Sequence, residues 1–292
     1  MEWFYNNLQI VLDGVMTGSL YALIGMGMAL IFGVMRIVTF AHGAFLMMGM
    51  YVTFVLFDRF HLSPYFGFLV AGGVLFVFGF LTYLLLLRPI PGQEPFMVIL
   101  VTMGLSLILI DSAQLIFGAD YHQINVPLQS RNLHLGAHIA INATWLVSFG
   151  IAIVLGSGMY WFVIHTMFGR AARAVAQNRY SAPLMGINVN RVQAIAFGMG
   201  AAAAAMAGGL LLPVLYVFPE VGNQYQLKAF VMVVLGGMGS IQGAALAGLV
   251  LGVVESLTSY YWGNEWALAV DFVIFILVLS FRPSGIFGSQ RA

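Results

Sequence analysis

Side chains that could carry out chemistry are few in this sequence, and they lie far apart. His134 and His138 are four residues apart, a spacing that suits zinc on a helix, but Gly136 disfavours that helix and no third ligand stands nearby. The hydrolase signatures HExxH and GxSxG do not occur, and the GSG at 156–158 has no second motif to complete a catalytic pair. The residue types therefore predict neither a metal site nor an enzyme active site.

The sequence also lacks a recognisable site for nucleotide phosphates. Its single lysine, Lys228, lies in YQLKAF, without the glycines of GxxxxGK[ST] whose backbone N–H groups cradle phosphate. The net charge of +1 is too small to indicate a nucleic-acid partner. If ATP drives this protein, another chain must bind the nucleotide and its magnesium, and we expect no cofactor in this chain.

The composition indicates the environment that must hold these residues. Hydrophobic residues make up 61% of the 292 residues and charged residues 7%, whereas soluble domains carry about 25% charged residues. The chain contains no cysteine, which excludes disulfides and thiolate chemistry. Most of the surface must therefore face lipid or other membrane helices.

Apolar stretches near the roughly 20 residues that a spanning helix needs recur along the chain. The last long run is interrupted by GGMGSIQG, and we predict that it forms two short pieces meeting near Gly239. The sequence predicts an all-α polytopic membrane bundle, a single transmembrane domain over 1–292, with eight or nine crossings and at least one broken helix. The predicted stretches are 14–34, 44–57, 66–87, 96–117, 144–167, 192–216, 227–257 and 267–281.

Three carboxylates and one histidine interrupt these stretches. Because a charge near the bilayer centre costs several kcal/mol, it usually faces a partner or a cavity. We interpret Asp111, Glu255 and Asp271 as meeting water or a polar partner near helix ends. The alternative places Glu255 near the outer mouth of a path through the membrane. His42 either faces such a path from a bend or joins helices by hydrogen bonds.

The loop at 168–191 concentrates basic residues between two apolar walls. Arg170, Arg173, Arg179 and Arg191 lie there without an acidic residue, and the rule that arginines stay inside predicts a cytoplasmic loop. Alternating outward puts the N-terminus outside and the C-terminus inside. Residues 170–177 favour a short helix, followed by a turn from Pro183 that Gly186 closes.

Four long segments resemble one family of membrane proteins. GRAARAVAQNRYSAPLMGINVNRV, GSLYALIGMGMALIFGVMRIVTFAHGAFLMMGMY, LKAFVMVVLGGMGSIQGAALAGLVLGVVESL and FVIFILVLSFRPSGIFG are similar, in order and spacing, to permeases of the high-affinity branched-chain amino acid ABC importers. The closer match is to the first of the two paired permeases of the leucine/isoleucine/valine type. A weak internal similarity between 42–46 and 242–246 also suggests duplicated halves.

The resemblance implies a complex in the bacterial cytoplasmic (inner) membrane. It comprises a second homologous permease chain, two ATP-binding subunits, and a periplasmic or extracellular substrate-binding protein. The 168–191 segment would be the coupling loop that sits on an ATPase. The residues that the resemblance assigns to this coupling are Gly169, Arg170, Arg173, Gln177, Asn178 and Gly186.

We predict the substrate pathway from the two bends in the apolar runs, because irregular backbone at membrane depth belongs beside a cavity and paired broken segments mark a substrate route. The predicted pathway residues are Thr39, Phe40, His42, Gly43, Gly236, Gly237, Ser240 and Glu255. Three alternatives stay open. The same machinery could carry urea, short amides or other small organic acids; the chain could act as a stand-alone carrier or channel; or it could be an intramembrane enzyme, although it lacks a recognisable nucleophile.

Overall fold

The protein is a bundle of helices in a computed structural model that describes residues 2–90, 94–135, 139–282 and 285. Eight helices in this part of the chain are long and apolar enough to cross a membrane, which confirms the predicted polytopic helical bundle. The helices are α1 Glu2–Met35, α2 His42–Phe60, α3 Pro64–Thr82, α4 Pro95–Phe117, α5 Ala143–His165, α6 Met167–Gln177, α7 Val189–Leu211, α8 Val221–Gly236, α9 Ile241–Tyr261 and α10 Asn264–Phe281. A π-helical turn, Tyr83–Leu87, extends α3, and two short strands, β1 Asn132–Leu135 and β2 Ile139–Asn142, pair antiparallel.

The first helix begins earlier than the sequence predicted. It starts at Glu2 and continues through Asp13, whereas we predicted a start near residue 14. Polar side chains on its first turns are held by the rest of the protein: Gln9 Nε2 donates to Ala140 O at 3.2 Å, and Tyr261 Oη donates to Asn7 Oδ1 at 2.6 Å. These hydrogen bonds satisfy the polar side chains of the first turns of α1. We did not predict a helix over these turns, because our prediction relied on apolar residues.

The bundle has two distinguishable ends. The start of α1 lies against the β1–β2 hairpin through Gln9, and this end is called the hairpin end. The last turn of α1 lies against α6, where Arg36 Nη2 donates to Ala176 O at 2.8 Å, and this end is called the α6 end. The direction of each other helix is described relative to these two ends.

The predicted break near Gly239 is confirmed. The α8 helix ends at Gly236 and α9 begins at Ile241. Gly237 and Gly239 have φ values of 93° and 88°, which residues with a Cβ rarely adopt. Ser240 caps α9, because its side chain accepts the Gly243 N–H at 3.0 Å. The 16 residues of α8 extend about 24 Å, less than the ~30 Å hydrocarbon core.

The long helices pair through glycine-lined contacts. The antiparallel pair α1 and α9 is so close that a Cβ at Gly252 would lie 2.3 Å from Gly18 Cα. The α3–α7 pair is similar, since a Cβ at Gly79 would lie 2.7 Å from Ala201 Cβ. Small residues let membrane helices approach until backbone packing holds them together. The two close pairs form the rigid part of the bundle.

The arrangement consists of two three-helix units, α1–α3 and α7–α9, that run in opposite directions. In each unit a long helix is followed by an irregular stretch and a helix that starts inside the bundle, α2 or α8. The starts of α2 and α8 touch through Gly43 and Gly222. The structure therefore supports duplicated halves, but it pairs α2 with α8, whereas the similarity between 42–46 and 242–246 would pair α2 with α9.

The glycine contact between α1 and α9 predicts a selective effect of a larger side chain. Gly252→Val should lower the stability of the purified chain by about 1–3 kcal/mol, because the new side chain overpacks against the α1 backbone. Gly150→Val on α5 is the control, because a Cβ there meets nothing within 4 Å. Thermal unfolding in detergent measures both, and equal midpoints for the two variants would contradict the packing described here.

Candidate functional site

The stretch between α1 and α2 turns back into the bundle. The backbone reverses at Arg36, whose φ is 55°. His42, the first residue of α2, places Nε2 3.0 Å from Ile24 O, and a carbonyl only accepts, so this ring nitrogen carries the proton. Ile24 lies eleven residues, about 16 Å, before the end of α1. The α2 helix therefore starts deep inside the bundle.

A second stretch enters from the opposite end. Val217 pairs with His122 of the loop at the hairpin end, with both backbone hydrogen bonds at 2.9 Å. Four residues later α8 begins, and an added Cβ at Gly222 would lie 2.4 Å from Gly43 O, while one at Gly43 would lie 2.1 Å from Gly222 O. Only glycine fits at both positions, so the first turns of α2 and α8 meet backbone to backbone. This contact, over residues 39–43 and 221–226, is called the junction.

Side chains from other helices satisfy the irregular backbone of the junction. Gln226 on α8 does so twice: its Oε1 accepts the Gly43 N–H at 2.8 Å, and its Nε2 donates to Thr39 O at 2.9 Å. Thr102 on α4 accepts the Phe40 N–H at 3.2 Å. Unpaired backbone groups cost several kcal/mol each in a membrane, so these side chains make the re-entrant stretch possible.

The structure separates the residues that we predicted to line one pathway. Thr39, His42 and Gly43 are buried at the junction, and Phe40 beside them is 39% exposed. Gly236 follows Gly222 by fourteen residues along α8, about 21 Å.

Gly236, Gly237 and Ser240 form instead the α8–α9 turn at the α6 end, where a Cβ at Gly239 would lie 3.1 Å from Gly33 Cα of α1. The two bends do not meet, because α8 runs from one to the other.

Glu255 lies in a third place. Its Oε1 forms a salt bridge of 2.6 Å with Lys228 Nζ, and Lys228 also donates to Tyr21 Oη at 2.9 Å. This pair joins α9 to α8 inside the bundle. We interpreted Glu255 as meeting water or a polar partner, and that partner is Lys228. The two residues are 27 positions apart, so no local pattern could predict the contact.

A separate cavity opens between α1, α5 and α9. It has a volume of about 430 Å³ and a largely apolar wall, with Ser19, Ser157, Tyr160 and Gln242 as its polar members. The Tyr160 and Gln242 side chains are hydrogen-bonded to each other. None of the predicted pathway residues lines this cavity.

The 168–191 loop contains the helix and the turn that the sequence predicted. The α6 helix spans Met167–Gln177, and Thr166 caps it by accepting the Gly169 N–H at 3.3 Å. Asn178 follows α6, and its Oδ1 accepts the N–H groups of Tyr180 and Ser181 at 2.9 and 3.0 Å. A 3₁₀ turn, Ala182–Met185, then ends at Gly186, whose φ is 78°.

Two arginines fix α6 to the spanning helices. Arg173 donates to Val163 O at 2.7 Å and to Ile164 O at 3.2 Å, the last carbonyls of α5. Arg36 donates to Ala176 O in the last turn of α6, where a cation also favours the helix dipole. Gly169 packs so closely that a Cβ would lie 1.6 Å from Val163 O. The α6 helix is therefore attached to the ends of both α1 and α5.

The outer surface of the loop is exposed and partly apolar. Arg170, Gln177 and Asn178, which the sequence singled out, are exposed. Sequence reasoning missed three large side chains beside them: Tyr180, Leu184 and Met185 are 90%, 86% and 81% exposed. The signal was present, because YSAPLM places apolar residues in a polar loop beyond the end of a span.

One member of the possible zinc pair, His138, lies outside the described residues. The described part of the chain contains no group of three His, Cys, Asp or Glu side chains that could hold a metal.

Two opposed helices, α2 and α8, that start inside a multi-pass bundle and meet there are typical of membrane transport proteins. The family described as branched-chain amino acid transport system / permease component matches residues 10–279. The chain belongs to this family, which confirms the resemblance read from its sequence.

Individual relatives agree with this assignment. The high-affinity branched-chain amino acid transport system permease protein LivH of Salmonella typhimurium is 34% identical over 98% of this chain and 97% of its own length. BraD of Pseudomonas aeruginosa, a permease protein of the same description, is 33% identical over 99% and 98%. The probable branched-chain amino acid transport permease protein LivM of Methanocaldococcus jannaschii is 29% identical over 42% and 40%. No solved structure matches the chain.

The double hydrogen bond of Gln226 predicts a strong effect of its removal. Gln226→Leu should destabilise the chain by about 2–6 kcal/mol, because the Gly43 N–H and the Thr39 carbonyl both lose their partner and each unpaired buried group costs about 1–3 kcal/mol. Gln114→Leu, an exposed glutamine on α4, is the control. Thermal unfolding in detergent compares the two variants. A Gln226→Leu midpoint equal to that of the control would show that the Gln226 hydrogen bonds do not stabilise the junction.

Proposed function

We propose that this chain is the membrane permease subunit of an ATP-driven importer of branched-chain amino acids. The observation that carries the proposal is the 168–191 loop: an apolar, arginine-bearing surface that is exposed beyond the spans and fastened to α1 and α5. Such a surface suits a protein partner. The names of the relatives, LivH and BraD, support branched-chain amino acids as the cargo.

The family resemblance supplies the proposed partners. Two separate ATP-binding subunits bind ATP and magnesium and dock on the 168–191 loop, in keeping with the lack of a phosphate-binding glycine motif in this sequence. A second, homologous permease chain completes the path, and a periplasmic or extracellular protein delivers the substrate. Arginines in the loop place the α6 end in the cytoplasm and the hairpin end outside a bacterial inner membrane. This orientation puts the N-terminus outside and the C-terminus inside.

The contacts of the loop provide a route for coupling. An ATPase that moves α6 pulls on Arg36, because the Arg36 guanidinium holds the last turn of α6. Arg36 is also the residue at which the re-entrant stretch begins, and this stretch ends at the Gln226 amide of the junction. Movement of the loop therefore reaches the first turns of α2 and α8, which form the inner part of the path.

Substrate and energy source are tested together. The tagged chain should copurify from its host with a second permease and two ATP-binding proteins, and the reconstituted complex should accumulate leucine only with ATP. Urea and short amides should not compete with leucine. Uptake by the chain alone, without ATP, would establish a stand-alone carrier or channel instead, and competition by urea or short amides would keep the machinery and change the cargo.

The docking surface predicts the effect of one charge. Leu184→Asp should reduce recovery of the ATP-binding subunits at least tenfold and abolish ATP-driven uptake, because an exposed apolar contact becomes a charge at the interface. Leu184→Met keeps an apolar side chain and should behave as wild type. Both variants should unfold at the wild-type temperature, since Leu184 is 86% exposed. Undiminished recovery with Leu184→Asp would show that the subunits bind elsewhere.

A further inference from the structure

A group of ionisable side chains lies within the bundle beside the junction, away from the 168–191 loop. Lys228 Nζ on α8 is 2.6 Å from Glu255 Oε1 on α9, and their side chains are 11% and 17% exposed. Lys228 also donates to Tyr21 Oη on α1 and lies 4.7 Å from the centre of the Tyr21 ring and 5.8 Å from that of Tyr225. The ammonium is therefore fully engaged by one carboxylate and two aromatic rings.

Asp271 adds a second carboxylate to this group. It lies on the face of α10 that packs inward, together with Ala267 and Phe275, and it is 2% exposed. Among the described residues, neither of its oxygens has a hydrogen-bond partner, and Glu255 Oε2 has none either. Phe275, one turn further along the same face of α10, packs against Phe230 of α8 with ring centroids 5.8 Å apart, so Asp271 lies beside the part of α8 that carries Lys228.

Both carboxylates lie inside the spanning helices, nearer the hairpin end than the α6 end. Glu255 precedes the end of α9 by six residues, about 9 Å, and Asp271 follows the start of α10 by seven, about 10 Å. A short turn joins these two helix ends, so the carboxylates lie at comparable depth below one surface of a hydrocarbon core about 30 Å thick.

The charges of the group do not balance. One ammonium faces two carboxylates, and the ammonium is bonded to Glu255, so an ionised Asp271 would be an uncompensated charge at membrane depth, at a cost of several kcal/mol. With 2% exposure, Asp271 is also inaccessible to a side chain of a partner subunit. Binding one proton makes the group neutral and converts an oxygen of Asp271 from an acceptor into a donor.

We propose that Asp271 is an intramembrane proton-binding site, in which the carboxyl keeps its proton at neutral pH beside the Lys228–Glu255 ion pair. The charged or titratable groups around it are Tyr21 from α1, Lys228 from α8 and Glu255 from α9, and of these Lys228 alone carries a positive charge. The site is independent of cargo and of ATP. It makes the contact between α8, α9 and α10 stable only while the proton is held, so raising the pH should loosen that contact.

Infrared spectroscopy of the purified chain at neutral pH tests the site directly. Wild type should show the carbonyl stretch of a protonated carboxylic acid, and Asp271→Asn should lose it. Asp58→Asn, a change at an exposed position near the end of α2, should retain it. An identical band in wild type and Asp271→Asn, or no such band in wild type, would overturn the proposal. The readout needs neither substrate nor partners, so it stands apart from the test of transport.

Thermal unfolding against pH provides a second readout. Because the amide of asparagine resembles a protonated carboxyl, Asp271→Asn should equal or exceed the wild-type midpoint at neutral pH. It should also lose part of the decline that wild type undergoes as pH rises, since it has no proton to release. A large loss of stability in Asp271→Asn at neutral pH, comparable to that of Asp271→Ala, would show that the ionised carboxylate is required and would overturn the proposal.

Discussion

The Gln226 side chain is the contact on which the architecture of this permease depends. Its amide oxygen and nitrogen bind backbone groups of Gly43 and Thr39, so one residue of α8 completes the backbone hydrogen bonding of the stretch that leads into α2. In water, solvent would replace either bond; at this depth no solvent is at hand, and an unpaired backbone group is expensive. The two re-entrant elements therefore depend on each other, and neither can be rearranged without the other.

Two kinds of contact hold the helices around this junction: close backbone packing at glycines, and side-chain hydrogen bonds that attach α6. The glycine-lined pairs α1–α9 and α3–α7 leave no room for side chains between their backbones. The α6 helix is attached to the spanning helices at specific atoms, through Arg36 to the end of α1 and through Arg173 to the end of α5. These hydrogen bonds, together with the close packing of Gly169 on Val163, connect the exposed loop to the ends of two spanning helices.

The sequence predicted those features that depend on local pattern. Apolar length located the spans, the glycines of GGMGSIQG located the break between α8 and α9, and residues 170–186 indicated the α6 helix and the turn that Gly186 ends. The sequence did not predict contacts between residues that are distant along the chain. The pairing of Gln226 with Thr39 and of Lys228 with Glu255 joins positions 187 and 27 residues apart. The two bends looked equivalent in sequence, but α8 separates them in the structure. The α8–α9 turn packs against Gly33 of α1, a contact that the sequence pattern does not reveal.

The central claim is that movement of the 168–191 loop reaches the junction. The chain has no cysteine, so a cysteine replacing Phe40, which is 39% exposed beside the junction, is the single thiol of this chain, and its labelling is read on this chain after the subunits are separated. The measurement is the rate at which a thiol reagent labels this cysteine in the reconstituted complex, with and without ATP hydrolysis. The account predicts that ATP changes the rate and that Arg36→Ala abolishes the change. An unchanged rate in a complex that still accumulates substrate would contradict it.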